Sequence, residues 1–155
     1  MTVIRVLLAD DNDFVRQALA DLLTASGDLE VVAQCADGDE VVAAAQRVVP
    51  DVVLLDLAMA RVGGMEAARR LLAVQPATRV VVLTASGSTS AVYEARDVGA
   101  VGYLLKAEDP EQLLTALRTV AAGGTAWWAG SDIAGVTPPL PDRPLVVTAS
   151  DDITG

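Results

Sequence analysis

The chain has 155 residues, 52% of them apolar, which is enough for one domain with a buried core and a short extension. Its formal net charge of −10 argues against a surface that grips a nucleic-acid backbone, because such a surface needs clustered lysine and arginine. The absence of histidine excludes Ser-His-Asp and Cys-His catalysis, histidine-ligated metals and a phosphohistidine donor, so any metal must be held by oxygen atoms.

The distribution of apolar residues predicts a protein that does not enter a membrane. No apolar run approaches the roughly 20 residues that span a bilayer, and no cationic leader precedes an apolar stretch. We therefore expect a cytoplasmic location. Cys35 is the single cysteine and lies in an apolar segment, so it is expected to be a small buried core residue.

Short apolar runs alternate with helical patterns along the first 124 residues. Five of the runs have the length and composition of β-strands, and they cover residues 4–9, 29–34, 52–55, 80–83 and 102–105. Apolar residues at helical spacing follow each strand, from residue 14 up to Gly27, over 38–49, 65–74 and 90–98, and from Asp109 up to Gly123. Five strands alternating with five helices predict an α/β fold whose parallel sheet is covered on both faces.

Polar side chains stand directly at the ends of four predicted strands. Asp10 and Asp11 follow the first strand, Asp56 the third, Thr84 the fourth and Lys106 the fifth. Because ligands bind at the carboxyl ends of parallel strands, we expect these groups to meet at one edge of the sheet. Lys106 is the only lysine among eleven basic residues, and its compact ammonium can lie beside a phosphoryl oxygen.

This combination of side chains indicates metal-assisted phosphoryl transfer. Three converging carboxylates repel one another unless a divalent cation lies among them, and Mg²⁺ accepts carboxylate oxygens together with a phosphate oxygen. A carboxylate can then act as the nucleophile and form an aspartyl-phosphate. Taken singly, Thr84 is also explained as a helix cap, Lys106 as a surface lysine and the acids as a helix N-terminus. The last explanation suits Asp13 but not the Asp10-Asp11 pair at the strand end.

Four segments resemble the receiver domain family of bacterial response regulators. They are Leu-Leu-Ala-Asp-Asp at 7–11, Val-Val-Leu-Leu-Asp-Leu-Ala-Met at 52–59, Val-Val-Leu-Thr-Ala-Ser at 81–86 and Gly-Tyr-Leu-Leu-Lys at 102–106. The last segment is typical of regulators with a LuxR-type (NarL/FixJ-like) helix-turn-helix output. The resemblance implies a single doubly wound (βα)5 flavodoxin-like domain over residues 1–124, with a five-stranded parallel sheet in the order 2-1-3-4-5.

The resemblance also implies a phosphoacceptor and a metal site. Asp56 accepts the phosphoryl group from a sensor histidine kinase in a two-component phosphorelay. Asp11 and Asp56 bind Mg²⁺ directly, Asp10 acts mostly through water, and the backbone carbonyl of Ala58 supplies another ligand. The domain is then a signalling switch and not an enzyme, although it assists its own phosphorylation and dephosphorylation.

The conformational switch implied by the family involves three further contacts. Thr84 and Lys106 contact the phosphoryl group, and Tyr103 matches the aromatic residue that moves inward together with the threonine. Composition alone explains Tyr103 equally well as an ordinary strand aromatic. The family also suggests self-association through the first or last helix, and no direct binding of nucleic acid by this chain.

The loop that follows Asp56 departs from the family pattern. Ala60 stands where the family usually has proline, four residues after the phosphoacceptor, and Gly63-Gly64 replaces an acid or asparagine followed by glycine. A loop without that proline is expected to be less rigid, because proline restricts the backbone. Neither departure removes a site residue, so we expect an active switch.

The residues from 125 to 155 are predicted to be a linker or a disordered extension. This segment has four prolines and no helical periodicity, and its Trp127-Trp128 pair is expected to pack on the receiver. It offers no DNA-binding domain. The chain is therefore either a free-standing receiver or the N-terminal receiver portion of a LuxR-type transcription regulator whose helix-turn-helix is absent here.

Two other classes of protein share parts of the pattern. Asp11-Asn12-Asp13 after a strand resembles the nucleophile motif of haloacid-dehalogenase-like phosphatases. That family places its second acid pair after the lysine, whereas Asp56 precedes both Thr84 and Lys106 here. A flavodoxin-like nucleotide or flavin binder should have glycines and backbone amides after the first strand, and this chain has acids there that would repel a phosphate.

Overall fold

A computed structural model describes residues 2–85 and 87–128, which form one sheet covered by helices on both faces. The strands are β1 (Ile4–Ala9), β2 (Leu29–Cys35), β3 (Val52–Leu55), β4 (Arg79–Thr84), β5 (Gly102–Leu105) and β6 (Ala126–Trp127). The helices are α1 (Asp13–Ala25), α2 (Val41–Val48), α3 (Gly64–Val74), α4 (Thr89–Val98) and α5 (Pro110–Ala121).

All strand pairs are parallel, and the sheet order is β2-β1-β3-β4-β5-β6. The predicted α/β fold and the order 2-1-3-4-5 of its first five strands are confirmed. Each crossover between parallel strands carries a helix, as such a connection requires. The carboxyl ends of β1, β3, β4 and β5 therefore meet at one edge.

The strands β1, β3 and β4 are buried on both faces. Alternate residues such as Leu7, Val53 and Val82 pack with α2, α3 and α4, and the residues between them pack with α1 and α5. This two-sided burial explains why the strands read as continuous apolar runs. Cys35 is 1% exposed at the end of β2, so its predicted place in the core is confirmed.

The segment predicted as one helix over 38–49 is divided in the structure. Gly38–Glu40 forms a 3₁₀ turn, and α2 follows it from Val41 to Val48. The turn begins at Asp37, whose side chain accepts a hydrogen bond from the N–H of Asp39. The helix ends at Val49, which adopts a left-handed conformation (φ 47°) before Pro50.

The sheet has a sixth strand that the sequence did not reveal, so the prediction of five strands was wrong in number. In β6, Ala126 pairs with Gly102 and Trp127 with Tyr103. Two residues are too few to produce a periodic apolar signal, so the pattern of the sequence could not show this strand. Trp127 and Trp128 pack against the core cluster, and residues 129–155 of the predicted extension lie outside the described residues.

The described helices do not include one that is long and apolar enough to cross a bilayer.

We predict that Gly87→Ala displaces the Trp128 ring. A Cβ atom added at Gly87 would lie 2.4 Å from ring atoms of Trp128, and overpacking of this kind costs about 1 kcal/mol or more. The expected result is a melting temperature lower by roughly 4 °C, with a shift of the tryptophan emission to longer wavelength.

A double-mutant cycle provides the control for this prediction. In a Trp128→Ala background, the same glycine substitution should have almost no effect on the melting temperature, because its steric partner is gone. An equal effect in both backgrounds would show that Trp128 does not pack on Gly87 in solution.

Candidate phosphoryl-transfer site

Three carboxylates converge at the carboxyl edge of the sheet. Asp10 and Asp11 follow β1 and Asp56 follows β3, and one carboxylate oxygen from each lies within 4.8 Å of the others. Asp10 and Asp56 are 1% and 6% exposed, whereas Asp11 is exposed to solvent. The structure thus brings together the three acids that the sequence assigned to a metal site.

Lys106 lies between the two buried acids. Its Nζ donates to Asp10 Oδ2 at 2.6 Å and to Asp56 Oδ2 at 3.2 Å. Its backbone N–H donates to the carbonyl of Thr84 at 2.8 Å, which continues the β4–β5 ladder past the end of the strand. These two ionic contacts link Lys106 to acids that lie 96 and 50 positions earlier in the sequence.

Continued ladder hydrogen bonds also hold the acids in place. The N–H of Asp10 donates to Cys35 O at 3.1 Å, and the N–H of Asp56 donates to Ala9 O at 3.0 Å. These bonds fix the backbone of both residues directly beyond the strand ends. The side chains therefore start from the rigid sheet and not from a free loop.

The burial and the neighbouring charges shift two pKa values in this site. Burial raises the pKa of the Asp56 carboxyl; the charge and hydrogen bond of Lys106 oppose this, and the charge of Asp10 adds to it, so the pKa lies above its usual value. Burial lowers the pKa of Lys106, but the hydrogen bonds and charges of Asp10 and Asp56 outweigh it and raise the pKa. The pKa of Asp56 is thus raised mainly by its burial, and that of Lys106 by its two acidic partners.

Asn12 and Arg16 support the site, although the sequence reasoning did not single them out. The N–H of Asn12 donates to Asp10 Oδ1 at 2.9 Å, and the Asn12 side chain caps α1 by accepting from the N–H of Val15. Arg16 Nη1 donates to the Asp10 carbonyl at 2.7 Å, and Nη2 pairs with Asp13. Asparagine before a helix was a readable capping signal, but a contact to a backbone carbonyl has no signature in the sequence.

Ala58 lies in the exposed loop after Asp56. Its N–H donates to Asp56 Oδ1 at 3.4 Å, so the chain turns around the carboxylate that it has just passed. The assignment of its carbonyl as a metal ligand stays a prediction.

Thr84 and Tyr103 lie on neighbouring strands. Thr84 ends β4 and is 7% exposed, and Tyr103 in β5 is fully buried. The Tyr103 ring lies 6.5 Å from the Trp128 ring at a tilt of 33°. Burial raises the pKa of the Tyr103 phenol, and a hydrogen bond with the Ser88 backbone opposes the shift. The phenol thus points to the segment that joins β4 to α4.

The donor set fits a hard divalent cation. All three side chains offer carboxylate oxygens, which Mg²⁺ prefers, and their spacing allows them to face one ion. Two of them are buried beside a single ammonium, so the acids carry more negative charge than Lys106 neutralises. A cation at this edge would compensate for that excess.

A family model described as the response regulator receiver domain matches residues 6–118. The chain belongs to this family. Receiver domains of two-component systems are signalling switches, and this assignment agrees with the order of motifs that argued against a phosphatase.

Individual relatives place this receiver among the LuxR- and NarL-type regulators. The chain is 41% identical over 120 residues to the uncharacterized transcriptional regulatory protein YxjL of Bacillus subtilis, a match that covers 77% of this chain and 55% of YxjL. A LuxR-family two-component response regulator from Aurantimonas sp. has 31% identity and a TM-score of 0.78, with 81% of this chain and 89% of that chain covered. The receiver domain of a putative NarL from Mycobacterium tuberculosis has 30% identity and a TM-score of 0.76, with 79% and 99% covered. The chain spans about half the length of the curated relatives that it matches.

We predict that Asp56→Asn stabilises this receiver near pH 7 in the absence of divalent cations. Because the pKa of Asp56 is raised in the folded state, the ionised carboxyl destabilises the fold at pH values above that pKa. The melting temperature should rise by a few degrees relative to wild type. The gain should shrink as the pH falls through the raised pKa of Asp56, because the wild-type carboxyl then takes up its proton.

The control is Asp97→Asn, which makes the same change of charge at an exposed position of α4. Its melting temperature should follow wild type at each pH. A lower melting temperature for Asp56→Asn near neutral pH would contradict the electrostatic account of the site.

Proposed function

We propose that this receiver accepts a phosphoryl group on Asp56 from a sensor histidine kinase and changes conformation in response. The observation that carries the proposal is the contact of one ammonium, Lys106 Nζ, with both Asp10 and Asp56 beside Asp11. This contact places a buried nucleophile, the Asp56 carboxylate, next to a positive charge, the Lys106 ammonium. These are the components that phosphoryl transfer to a carboxylate requires.

The chemistry follows from the arrangement of the side chains. An Asp56 carboxylate oxygen attacks the phosphorus of a phosphohistidine, a new P–O bond forms, and the P–N bond breaks with its electron pair leaving on the imidazole. The Lys106 ammonium offsets the charge on the phosphoryl oxygens, and the Thr84 hydroxyl donates to one of them. By the same contacts the chain assists its own phosphorylation and dephosphorylation.

Four groups are proposed to hold Mg²⁺. Asp11 and Asp56 bind it directly, Asp10 acts mostly through water, and the Ala58 carbonyl completes the protein ligands. When bound, the cation neutralises the acids and the incoming phosphoryl oxygens. The clustering of the three carboxylates supports this assignment.

The switch is proposed to operate through Thr84 and Tyr103. The two residues lie on adjacent strands, and Tyr103 contacts the backbone of Ser88 in the segment that follows Thr84, so a displacement of Thr84 toward the phosphoryl group would change the space available to the Tyr103 ring. Two packings of similar free energy, one of them favoured by the phosphoryl group, are sufficient for a switch.

The partners and the output are proposed from the family and its relatives. The partner is a sensor histidine kinase in the cytoplasm, and a second copy of the chain binds through α1 or α5. The exposed Phe14 side chain on α1 supports such an association. The relatives named as transcriptional regulatory proteins, YxjL and LiaR, favour a receiver that controls an attached DNA-binding domain. The full reading frame of the gene would show whether that domain is present.

Phosphorylation by acetyl phosphate and Mg²⁺ tests the proposed acceptor. Wild type should gain one phosphoryl group by intact mass, and Asp56→Asn should gain none while keeping its circular dichroism spectrum, because the nucleophilic oxygen is absent. Asp13→Asn, a change of charge on the same edge outside the three-acid cluster, should be phosphorylated like wild type. Retention of a phosphoryl group by Asp56→Asn would place the acceptor elsewhere.

A titration with Mg²⁺ tests the proposed ligands. Asp11→Ala should weaken Mg²⁺ binding by about tenfold or more, since it removes a charged oxygen donor. Losses of this order follow the removal of groups that orient metal ligands. The matched control is Asp13→Ala, whose carboxylate pairs with Arg16 instead. An unchanged titration for Asp11→Ala would refute the assignment of Asp11 as a ligand.

A further inference from the structure

Asp37 joins the turn after β2 to the loop that follows the phosphoacceptor. Its Oδ1 accepts from the N–H of Arg61 at 2.8 Å, and its Oδ2 accepts from the N–H of Val62 at 2.9 Å. Oδ2 also accepts from the N–H of Asp39 within its own turn at 3.2 Å. The side chain is 6% exposed, so a buried carboxylate is satisfied by three backbone donors, two of them more than twenty residues away.

The turn and the loop are also in direct backbone contact. The N–H of Gly38 donates to Val62 O at 3.1 Å. A Cβ atom at Gly38 would lie only 2.2 Å from that oxygen, so glycine allows the two backbones to approach this closely. Asp37 thus accepts hydrogen bonds from the last part of the loop, and Gly38 donates one to it.

The first residue of the loop, Leu57, is hydrogen-bonded to the first residue of α3. The N–H of Gly64 donates to Leu57 O at 3.1 Å, and a Cβ atom at Gly64 would lie 2.2 Å from Asp56 O. The span that remains between the two attachments contains Ala58 and Ala60. This span turns around the Asp56 carboxylate and carries the backbone carbonyl proposed as a metal ligand.

We infer that Asp37 is a positioning residue for phosphorylation at Asp56. By fixing the amides of Arg61 and Val62, it restricts the span that carries Ala58 and so sets where the Ala58 carbonyl lies relative to Asp56. The sequence led us to expect a less rigid loop, because Ala60 stands in place of proline. The hydrogen bonds of Asp37 supply a restraint from outside the loop. This inference rests on the proposed function, since it concerns the geometry of that site.

The ionisation of Asp37 is consistent with this role. The N–H of Arg61 holds the pKa of the carboxyl down at about 2, burial opposes the shift, and the N–H groups of Val62 and Asp39 add to it. The group is therefore an anion at neutral pH. Asparagine keeps only one acceptor oxygen, and its NH₂ group would face the N–H donors that Oδ2 now satisfies.

The test compares Asp37→Asn with Asp28→Asn. Both positions carry acids whose pKa is lowered to about 2, but Asp28 pairs with Arg118 before β2, at the opposite edge of the sheet. We expect Asp37→Asn to bind Mg²⁺ about tenfold more weakly, as for other residues that orient metal ligands, and Asp28→Asn to bind like wild type. Hydrogen exchange at the amides of Arg61 and Val62 should accelerate in Asp37→Asn alone.

The comparison separates positioning from stability. Both variants lose a low-pKa acid and its hydrogen bonds, so an effect of general destabilisation would weaken Mg²⁺ binding in both. If Asp37→Asn does not fold, Asp37→Ser, which keeps one acceptor oxygen close to the backbone, replaces it. A folded Asp37 variant with unchanged Mg²⁺ affinity would overturn this inference and leave the proposed function intact. Absence of Mg²⁺ binding by wild type would overturn the proposed function, and the inference with it.

Discussion

The site depends on one shared cation, the Lys106 ammonium, in contact with two buried carboxylates. Asp10 and Asp56 would repel each other at this distance, and buried charges destabilise a fold unless they are paired. Lys106 donates a hydrogen bond to each of them, and one ammonium facing three acids, including exposed Asp11, leaves an excess of acidic groups in the cluster. A divalent cation among the three carboxylates would offset this excess. A buried carboxylate beside an ammonium is what the proposed chemistry needs.

The sheet makes this contact possible because its strands end at one edge. Parallel β1, β3, β4 and β5 deliver their following residues to the same place, and ladder hydrogen bonds continue one residue beyond the strands. The loop after Asp56 lies outside the ladder and needs a separate restraint. In this chain the restraint comes from Asp37 across the edge, in place of a proline within the loop. Rigid strands and a restrained loop together define the pocket.

Local patterns in the sequence were sufficient to predict the α/β class and the polar side chains at the strand ends, and the resemblance to the receiver family supplied the strand order. Apolar runs marked the first five strands, and Asp10, Asp56, Thr84 and Lys106 stood at their ends. The pattern could not show β6, since two residues have no period, and the Trp127-Trp128 pair was predicted only to pack. The contacts of Asp37 could not be predicted for a different reason. Its partners are backbone N–H groups, which every residue except proline offers, so no residue type revealed the contact.

The central claim is that Asp56 is the residue that accepts the phosphoryl group, and borohydride trapping tests it most directly. The wild-type chain is phosphorylated with acetyl phosphate and Mg²⁺ and then reduced, which converts an aspartyl-phosphate into homoserine, and the modified peptide is sequenced by mass spectrometry. The account predicts homoserine at position 56 alone. Homoserine at position 10 or 11, or no trapped residue in a protein that folds and binds Mg²⁺, would contradict it.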